Sequence, residues 1–294
     1  MTTPDFFIIG AMKCGTSTLH DQLAAQDGVF MSTPKEPNFF SDDDNYRRGI
    51  DWYKNVFAGA PQGAMLGESS THYSKLPTYP DTIDRLAAYA PEAKFIYVLR
   101  HPLDRLVSHF IHAWTQNEIA TDIDDALTKH EELIAYGQYE RQIAPFIDRF
   151  GVDRIQLTAF EWMTASPQSA INRIGDFLGA EHAMTWRDDI APSNISSQRI
   201  RRFPLYDLLV ESPLATSIRR TIAPKALRNR IKAQFQMAER PTLSDEASAI
   251  AVAAFDKDLA ALSRRLELPT ALTCANYKTL VAEHPLNWRG SFDD

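Results

Sequence analysis

Short apolar runs alternate with amphipathic stretches along roughly the first 180 residues of the chain. Runs rich in apolar and β-branched residues predict buried strands, and apolar residues at a three-to-four spacing predict helices between them. The predicted strands are 6–9, 29–31, 64–67, 94–99 and 154–160. The predicted helices begin at Thr16 and cover 80–89, 102–116, 138–149 and 167–179. Such alternation indicates βαβ units, which build a parallel sheet with helices on its faces.

The segment from residue 8 to residue 18 joins the first predicted strand to the first helix. Gly10 and Gly15 bracket four residues, and Thr16 begins the helix. A glycine turn at a helix N-terminus directs backbone N–H groups and the positive end of the helix dipole toward an anion. The nucleoside-triphosphate form of this loop carries lysine directly after the second glycine. Here Thr16 occupies that position and the lysine is Lys13, so the sequence predicts a phosphate-binding loop with a displaced cation.

The fold class expected from this pattern is α/β, with a P-loop-type parallel sheet flanked by helices. From about residue 200 the pattern is helical and predicts no further strand. We therefore expect one domain over 1–294, with a core at about 5–180. The remainder, about 190–294, would be a mainly helical part that could cover a cofactor.

Composition and charge narrow the class of protein. The chain has 294 residues, 44% of them hydrophobic, and a net charge of −7, which argues against binding nucleic acid by bulk electrostatics. The sequence suggests neither a signal peptide nor a membrane span. Two cysteines, Cys14 and Cys274, make no disulfide framework. We expect a cytoplasmic enzyme that does not insert into membranes.

A second predicted phosphate site follows the strand at 94–99. Kinases and triphosphate hydrolases often place an aspartate there to hold Mg²⁺. This chain instead has Arg100, and a helix that begins at Pro102 carries Ser108 two turns further on. A guanidinium and a hydroxyl suit a phosphate group held without metal.

These two motifs together resemble the cofactor-binding motifs of sulfotransferases that use 3′-phosphoadenosine 5′-phosphosulfate (PAPS). Residues 10–19 are similar to the 5′-phosphosulfate loop of that family, and residues 100–108 to its 3′-phosphate motif. Residues 35–40 are similar to a segment of the heparan-sulfate glucosaminyl O-sulfotransferase branch. The resemblance spans about 5–180, with a weaker match around 194–204. It implies PAPS as cofactor and 3′-phosphoadenosine 5′-phosphate (PAP) as product.

The resemblance also implies roles for individual residues. Lys13 would contact the transferring sulfonate and the bridging oxygen, and Glu36 would be the base that deprotonates the acceptor. Arg100 and Ser108 would bind the 3′-phosphate. The full set of implied cofactor contacts is Lys13, Cys14, Gly15, Thr16, Ser17, Thr18, Arg100, Ser108, Tyr139, Ser197 and Arg199.

The identity of the base has two candidates. Glu36 lies in a proline-flanked segment, predicted to sit just beyond a strand end near the first loop. A glutamate with an ordinary pKa of about 4.3 is a weak base for an alcohol, so burial would have to raise that pKa. His72 is the alternative, because the phenol and steroid branch of the family uses a histidine from a comparable region and imidazole has the better intrinsic pKa.

The chain departs from the heparan-sulfate branch shortly after its Gly67-Glu68 pair. The branch carries a lysine there, whereas this chain has Ser69 and Ser70. A cation expected near the sulfonate or an acidic sugar is missing, which weakens the case for a polysaccharide acceptor more than the case for transferase chemistry. The basic segment 199–232 could be a lid over the anionic cofactor, an approach for an anionic acceptor or, as is most usual, a solvated helical face.

The predicted function is therefore in-line transfer of a sulfonate group from PAPS, without metal, to a hydroxyl of a small alcohol or sugar. Amines and phenols are further acceptor classes. The alternatives are a small-molecule kinase with a degenerate loop and a non-catalytic nucleotide-binding protein. Thr16 and Arg100, at the lysine and aspartate positions of a kinase, count against the first; Lys13, Arg100 and Ser108 argue against the second.

Overall fold

A five-stranded parallel sheet forms the centre of the computed structural model, which describes residues 3–191, 237 and 239–286. The strands pair in the order β2-β3-β1-β4-β5, and every pair is parallel. Their bounds are β1 Phe6–Gly10, β2 Val29–Met31, β3 Met65–Ser69, β4 Lys94–Leu99 and β5 Ile155–Ala159. All five strands are predicted from the apolar runs, and the α/β fold class is confirmed.

Helices connect the strands and continue beyond the sheet. In the described part of the chain they are α1 Thr16–Ala24, α2 Asp43–Arg47, α3 Ile50–Asn55, α4 Thr82–Tyr89, α5 Pro102–Thr115, α6 Ile123–Lys129, α7 Glu132–Ala135, α8 Tyr139–Phe150, α9 Phe160–Ala165, α10 Pro167–Leu178, α11 Asp245–Arg265 and α12 Tyr277–Glu283. Two 3₁₀ turns cover Thr71–Ser74 and Val152–Arg154. The five predicted helices match α1, α4, α5, α8 and α10, whereas the sequence pattern missed the short helices α2, α3, α6, α7 and α9.

The strands at the centre of the sheet are covered on both faces. Phe6 to Ile9 of β1 and Phe95 to Leu99 of β4 are fully buried. A strand buried on both faces needs apolar side chains at consecutive positions, which explains why these runs are continuous rather than alternating. The connections of β1 and β4 lead to opposite edges of the sheet, since β2 and β5 are its two outer strands. Ligands of doubly wound proteins bind in the crevice at such a point, beyond the carboxyl ends of the strands.

The described C-terminal helices attach to the same edge of the sheet. The Asp258 side chain on α11 accepts hydrogen bonds from the backbone N–H groups of Glu140 (3.0 Å) and Arg141 (3.1 Å), and so caps the start of α8. His101 Nε2 lies 2.9 Å from the carbonyl oxygen of Cys274. These contacts join residues 258 and 274 to the start of α8 and to the β4–α5 connection. Helices predicted between 200 and 236 lie outside the described residues, and no strand occurs within 239–286.

Candidate active site

The loop between β1 and α1 has the geometry of an anion-binding cradle. Gly15 has φ 85°, and a Cβ there would lie 2.7 Å from the Phe160 ring. Helix α1 begins without a side-chain cap. The backbone N–H groups of Gly15, Thr16 and Thr18 donate to no described residue. Such unpaired groups at a helix N-terminus need an external acceptor, so the loop fits the phosphate of a bound nucleotide.

Lys13 is the cation within this loop, and its backbone also lies in the left-handed region, with φ 70°. Burial is the main factor that lowers the pKa of its ammonium, and the nearby Arg100 guanidinium lowers it further. The Glu36 carboxylate acts in the opposite direction and raises this pKa. Lys13, Arg100 and Glu36 therefore belong to one electrostatic neighbourhood, as the predicted roles require.

Arg100 follows directly after β4 and turns back toward the loop. Its Nη1 donates to the Lys13 carbonyl oxygen at 3.0 Å, and its guanidinium carbon lies 4.8 Å from the Phe160 ring centroid. It forms no ion pair with any described residue. Ser108, two turns along α5, is only 5% exposed. Arg100 thus joins the two predicted phosphate motifs, although its contact with a 3′-phosphate stays a prediction.

Two of the other predicted cofactor residues support this arrangement from beneath. Tyr139 is fully buried; its hydroxyl accepts from the Arg100 N–H at 3.2 Å and donates to the Arg100 carbonyl oxygen. The same hydroxyl lies 3.9 Å from Cys14 Sγ. Burial raises the pKa of the Cys14 thiol to about 12, so it stays neutral. The Tyr139 and Cys14 side chains therefore hold the loop and Arg100 in place. A direct contact of either side chain with the cofactor stays a prediction. Ser197 and Arg199 lie outside the described residues.

The structure places Glu36 beyond the carboxyl end of the sheet and beside the loop. Its N–H donates to the Ser69 carbonyl oxygen (3.0 Å), which anchors it to the end of β3. Thr71 Oγ1 donates to Glu36 Oε1 at 3.3 Å, and Lys35 Nζ lies 3.4 Å from the same oxygen. Lys35 Nζ also donates to Ser17 Oγ at 2.8 Å. This lysine therefore bridges the candidate base to the start of α1.

A buried carboxylate below this segment was missed by the sequence analysis. Glu68, at 0% exposure, accepts hydrogen bonds from Ser70 Oγ at 2.6 Å and from the Tyr53 hydroxyl. Ser70 Oγ in turn accepts from the Asn38 N–H at 3.1 Å. Burial raises the pKa of Glu68 to about 7, although the hydroxyl donors oppose that shift. This network holds the segment that carries Glu36.

His72 is placed in the 3₁₀ turn after β3, with its ring stacked on Tyr79 at a centroid distance of 4.8 Å. Burial, assisted by the Lys75 ammonium, lowers the pKa of His72 to about 4. Its Nδ1 is buried and has no hydrogen-bond partner among the described residues. The imidazole is therefore neutral near pH 7, and it has lost the advantage in basicity that the sequence suggested.

A cavity of about 440 Å³ adjoins the loop and contains His72. It extends between the β3–α4 connection, α5 and the α6–α7 region. Its lining side chains include Met12, His72, Lys75, Tyr79, His109, His112, Glu118, Glu131, Glu132 and Tyr136. Because Met12, the neighbour of Lys13 in the loop, lines the cavity, an acceptor could approach the loop from this space. Lys75 was not singled out by the sequence analysis. Its place six residues beyond the end of β3 is the signal that could have revealed it.

Phe160 and Glu161 were missed as well. Phe160 lies between Gly15 and Arg100, and Glu161 Oε1 accepts the His101 N–H at 2.8 Å. Both follow directly after β5, at the sheet edge where ligands of parallel sheets bind. The sequence could have indicated both residues from this position.

Two further observations concern metals and membranes. Within residues 3–191 and 239–286, no group of three or more histidine, cysteine, aspartate or glutamate side chains could hold a metal ion. No helix described here is long and apolar enough to cross a bilayer.

Comparison with known proteins agrees with this geometry. A family model for the sulfotransferase domain matches residues 3–205, which is more than half of the chain. The chain belongs to the sulfotransferase family. This match confirms the family that the two phosphate motifs predict.

Individual sulfotransferases show the extent of the similarity. The mouse heparan sulfate glucosamine 3-O-sulfotransferase 3A1 is 24% identical over 191 residues, which cover 62% of this chain and 47% of that protein. The chain thus spans about half the length of this curated relative. The sulfotransferase of Alicyclobacillus acidocaldarius has a TM-score of 0.55 and 25% identity, and the match covers 87% of this chain and 96% of the other. Mouse sulfotransferase SULT7A1, solved with PAP, shares the fold with a TM-score of 0.50 and 14% identity, over 87% of this chain and 84% of its own.

Proposed function

We propose that this sulfotransferase moves a sulfonate group from PAPS to an acceptor hydroxyl by in-line transfer. The observation that carries the proposal is the hydrogen bond from Arg100 Nη1 to the Lys13 carbonyl oxygen, at 3.0 Å. It joins the loop and the β4–α5 connection into one site with two places for phosphate. PAPS carries phosphate on both its 3′ and its 5′ positions, which matches this pair.

The chain's own residues would act mainly by electrostatics and positioning. The N–H groups at the start of α1 would hold the 5′-phosphate, and Arg100 with Ser108 would hold the 3′-phosphate. PAPS, when bound, supplies the sulfonate, with PAP as the leaving group. Lys13 would balance the negative charge that grows on the bridging oxygen, an effect worth several kcal/mol in a site that excludes water. Holding donor and acceptor in line contributes much of the remainder.

Glu36 is the preferred base. It lies beside the loop, is coupled to Lys13 and is 37% exposed, so an acceptor hydroxyl can reach it. His72 has a pKa lowered to about 4, and its ring is stacked on Tyr79. It is therefore no stronger a base than an ordinary carboxylate. His72 would instead form part of the acceptor wall.

The proposed acceptor is a small alcohol or a sugar, and amines and phenols are further candidates. The name of the mouse relative, which acts on glucosamine in heparan sulfate, favours a carbohydrate. The cavity beside Lys13 is of the size of small-molecule sites. A cytoplasmic location stays a prediction from the low cysteine content. The kinase and the non-catalytic alternatives gain no support from any observation on the described residues.

The direct test is an acceptor screen that follows the release of PAP from PAPS. Simple alcohols, glucosamine and other sugars, phenols and amines would be compared at equal concentration. In parallel, thermal shifts with PAP and with ATP and Mg²⁺ would distinguish the classes of nucleotide. We expect stabilisation by PAP and turnover with at least one hydroxyl acceptor. Greater stabilisation by ATP with Mg²⁺ and phosphate transfer would instead establish a kinase.

A further inference from the structure

The Lys75 ammonium is a buried charge that forms no ion pair with a described residue. The residue is 9% exposed, and its ammonium donates no hydrogen bond and forms no ion pair within that part of the chain. Its described contact is with the face of Tyr136, 5.7 Å from the ring centroid. An isolated buried ammonium is costly, and an apolar side chain of similar volume would be more stable in its place. Packing alone therefore gives no reason for a lysine here.

The ammonium belongs to the cavity beside the phosphate loop. Lys75 lines it together with Met12, the neighbour of Lys13. The charges of Glu36 and Lys13 both act on the pKa of Lys75, which links the ammonium electrostatically to the candidate base and the loop. A molecule in the cavity would consequently present one end to Lys75 and another to Lys13.

Lys75 is the one lysine or arginine among the described residues that line the cavity. The pKa of His72 is lowered to about 4 and that of His109 well below its usual value, both chiefly by burial, so both rings are neutral. Burial also lowers the pKa of Lys75 to about 8, so the ammonium form still dominates at neutral pH. The remaining titratable and charged groups that face Lys75 or line the cavity are Lys13, Glu36, Arg105, His112, Glu118, Glu131 and Glu132.

We propose that this cavity binds the acceptor and that the Lys75 ammonium binds an anionic group of it: a carboxylate, a sulfate or a phosphate ester. The inference rests on the proposed sulfotransferase function and specifies its substrate class as a small anionic acceptor. The anion would form the close ion pair that no described residue makes with Lys75. The acceptor hydroxyl then lies at the opposite end of the cavity, toward Lys13 and Glu36. Lys75 thus supplies, six residues beyond the end of β3, a cation that Ser69 and Ser70 do not.

The test compares two sugars that differ only at C6, where one carries a negative charge. Methyl β-D-glucuronide carries a carboxylate where methyl β-D-glucoside carries a hydroxymethyl group, and both offer the same ring hydroxyls. Dissociation constants for the PAP-loaded protein would be measured by calorimetry or NMR. We expect the wild type to bind the glucuronide about tenfold more tightly or better. Lys75→Met should abolish this preference without weakening PAP binding, and Lys75→Arg should retain most of it.

Three outcomes separate the possible interpretations. A wild type that does not distinguish the sugars, or a Lys75→Met variant that still does, overturns the inference. A protein that fails to bind PAP contradicts the proposed function itself. A Lys75→Arg variant that loses the preference although it keeps the positive charge would also overturn the anion-binding role.

Two further measurements distinguish anion binding by Lys75 from a purely structural role. Glucuronide affinity should fall as the pH rises above about 8, because the ammonium then loses its proton. The affinity for the glucoside should not fall with pH in this way. Lys75→Met should melt at the same or a higher temperature than the wild type, since it removes an uncompensated buried charge. Loss of stability in Lys75→Met with a pH-independent affinity would show that the lysine serves packing and would overturn the proposal.

Discussion

The phosphate half of the site, residues 10–18 with Arg100 and Ser108, is built mostly from backbone groups and adjacent residues. The acceptor half, Glu36, His72 and Lys75 with the cavity, is built from side chains of separate segments. In the first, a glycine turn and a helix start define the geometry. In the second, Glu36 is anchored to the end of β3 by a backbone hydrogen bond to Ser69. A contiguous motif can be interpreted from sequence, whereas a constellation of side chains needs the fold.

The two halves also differ in how burial acts on charge. In the phosphate half, Lys13 and Arg100 are close to each other and need an anion to balance them. In the acceptor half, burial lowers the pKa of His72 to about 4 and the pKa of Lys75 to about 8. Burial also raises to about 7 the pKa of Glu68, which lies below the segment that carries Glu36. All three shifts favour the neutral form. We therefore expect mutations in the phosphate half to change nucleotide use, and mutations in the acceptor half to change acceptor use and pH dependence.

Removal of the loop cation should have the largest effect. Lys13→Ala is expected to lower turnover by about a thousandfold or more, because charge on the bridging oxygen grows only as transfer proceeds. PAP affinity should fall far less. Steady-state rates and calorimetry with PAP would measure both, with Lys129→Ala, a surface substitution on α6, as the control. Equal losses in turnover and PAP affinity would make Lys13 a simple phosphate anchor.

The choice of base gives the next largest effect. Glu36→Gln keeps the size and polarity of the side chain but removes its basic oxygen, so transfer should fall by about a hundredfold to a thousandfold. PAPS should still bind. His72→Ala should be mild by comparison, since the imidazole is stacked and has a lowered pKa. An inactive His72→Ala variant beside an active Glu36→Gln variant would show that the histidine is the base.

The structure shows where sequence reasoning succeeds and where it stops. The strands were predictable because burial on both faces demands continuous apolar runs, as in β1 and β4. The loop was predictable because its glycines and lysine are contiguous. Lys75 and Glu68 were not, since the same residue types are common on surfaces and only tertiary packing buries them. The lowered pKa of His72 could not be predicted from the sequence either, because it follows mainly from burial in the fold.

Arg100 provides a test of nucleotide specificity in the phosphate half. A guanidinium–phosphate hydrogen bond is worth about 1.5–3 kcal/mol and a hydroxyl roughly 1, so the wild type should prefer PAP over adenosine 5′-phosphate by about a hundredfold. Arg100→Ala should remove most of that preference by weakening PAP alone. Calorimetry with both nucleotides would measure it, and Arg149→Ala on the exposed side of α8 is the matched control. Equal weakening of both nucleotides would contradict the 3′-phosphate role.

The smallest effect on turnover is expected at Glu68, which acts on the acceptor half from beneath. Glu68→Gln should leave turnover within about tenfold of the wild type, because it alters the support of the Glu36 segment and not the reacting groups. Stability should respond more clearly. The pKa of Glu68 is raised to about 7 in the folded protein, so the folded state binds the extra proton between about pH 4.5 and pH 7. This contribution to stability is present at low pH and is lost as the pH rises through 7. From pH 5 to pH 8, the free energy of unfolding of the wild type should therefore fall by roughly 3 kcal/mol relative to that of Glu68→Gln. Urea denaturation of both proteins at the two pH values measures this difference, and a constant gap would mean that Glu68 keeps its charge throughout.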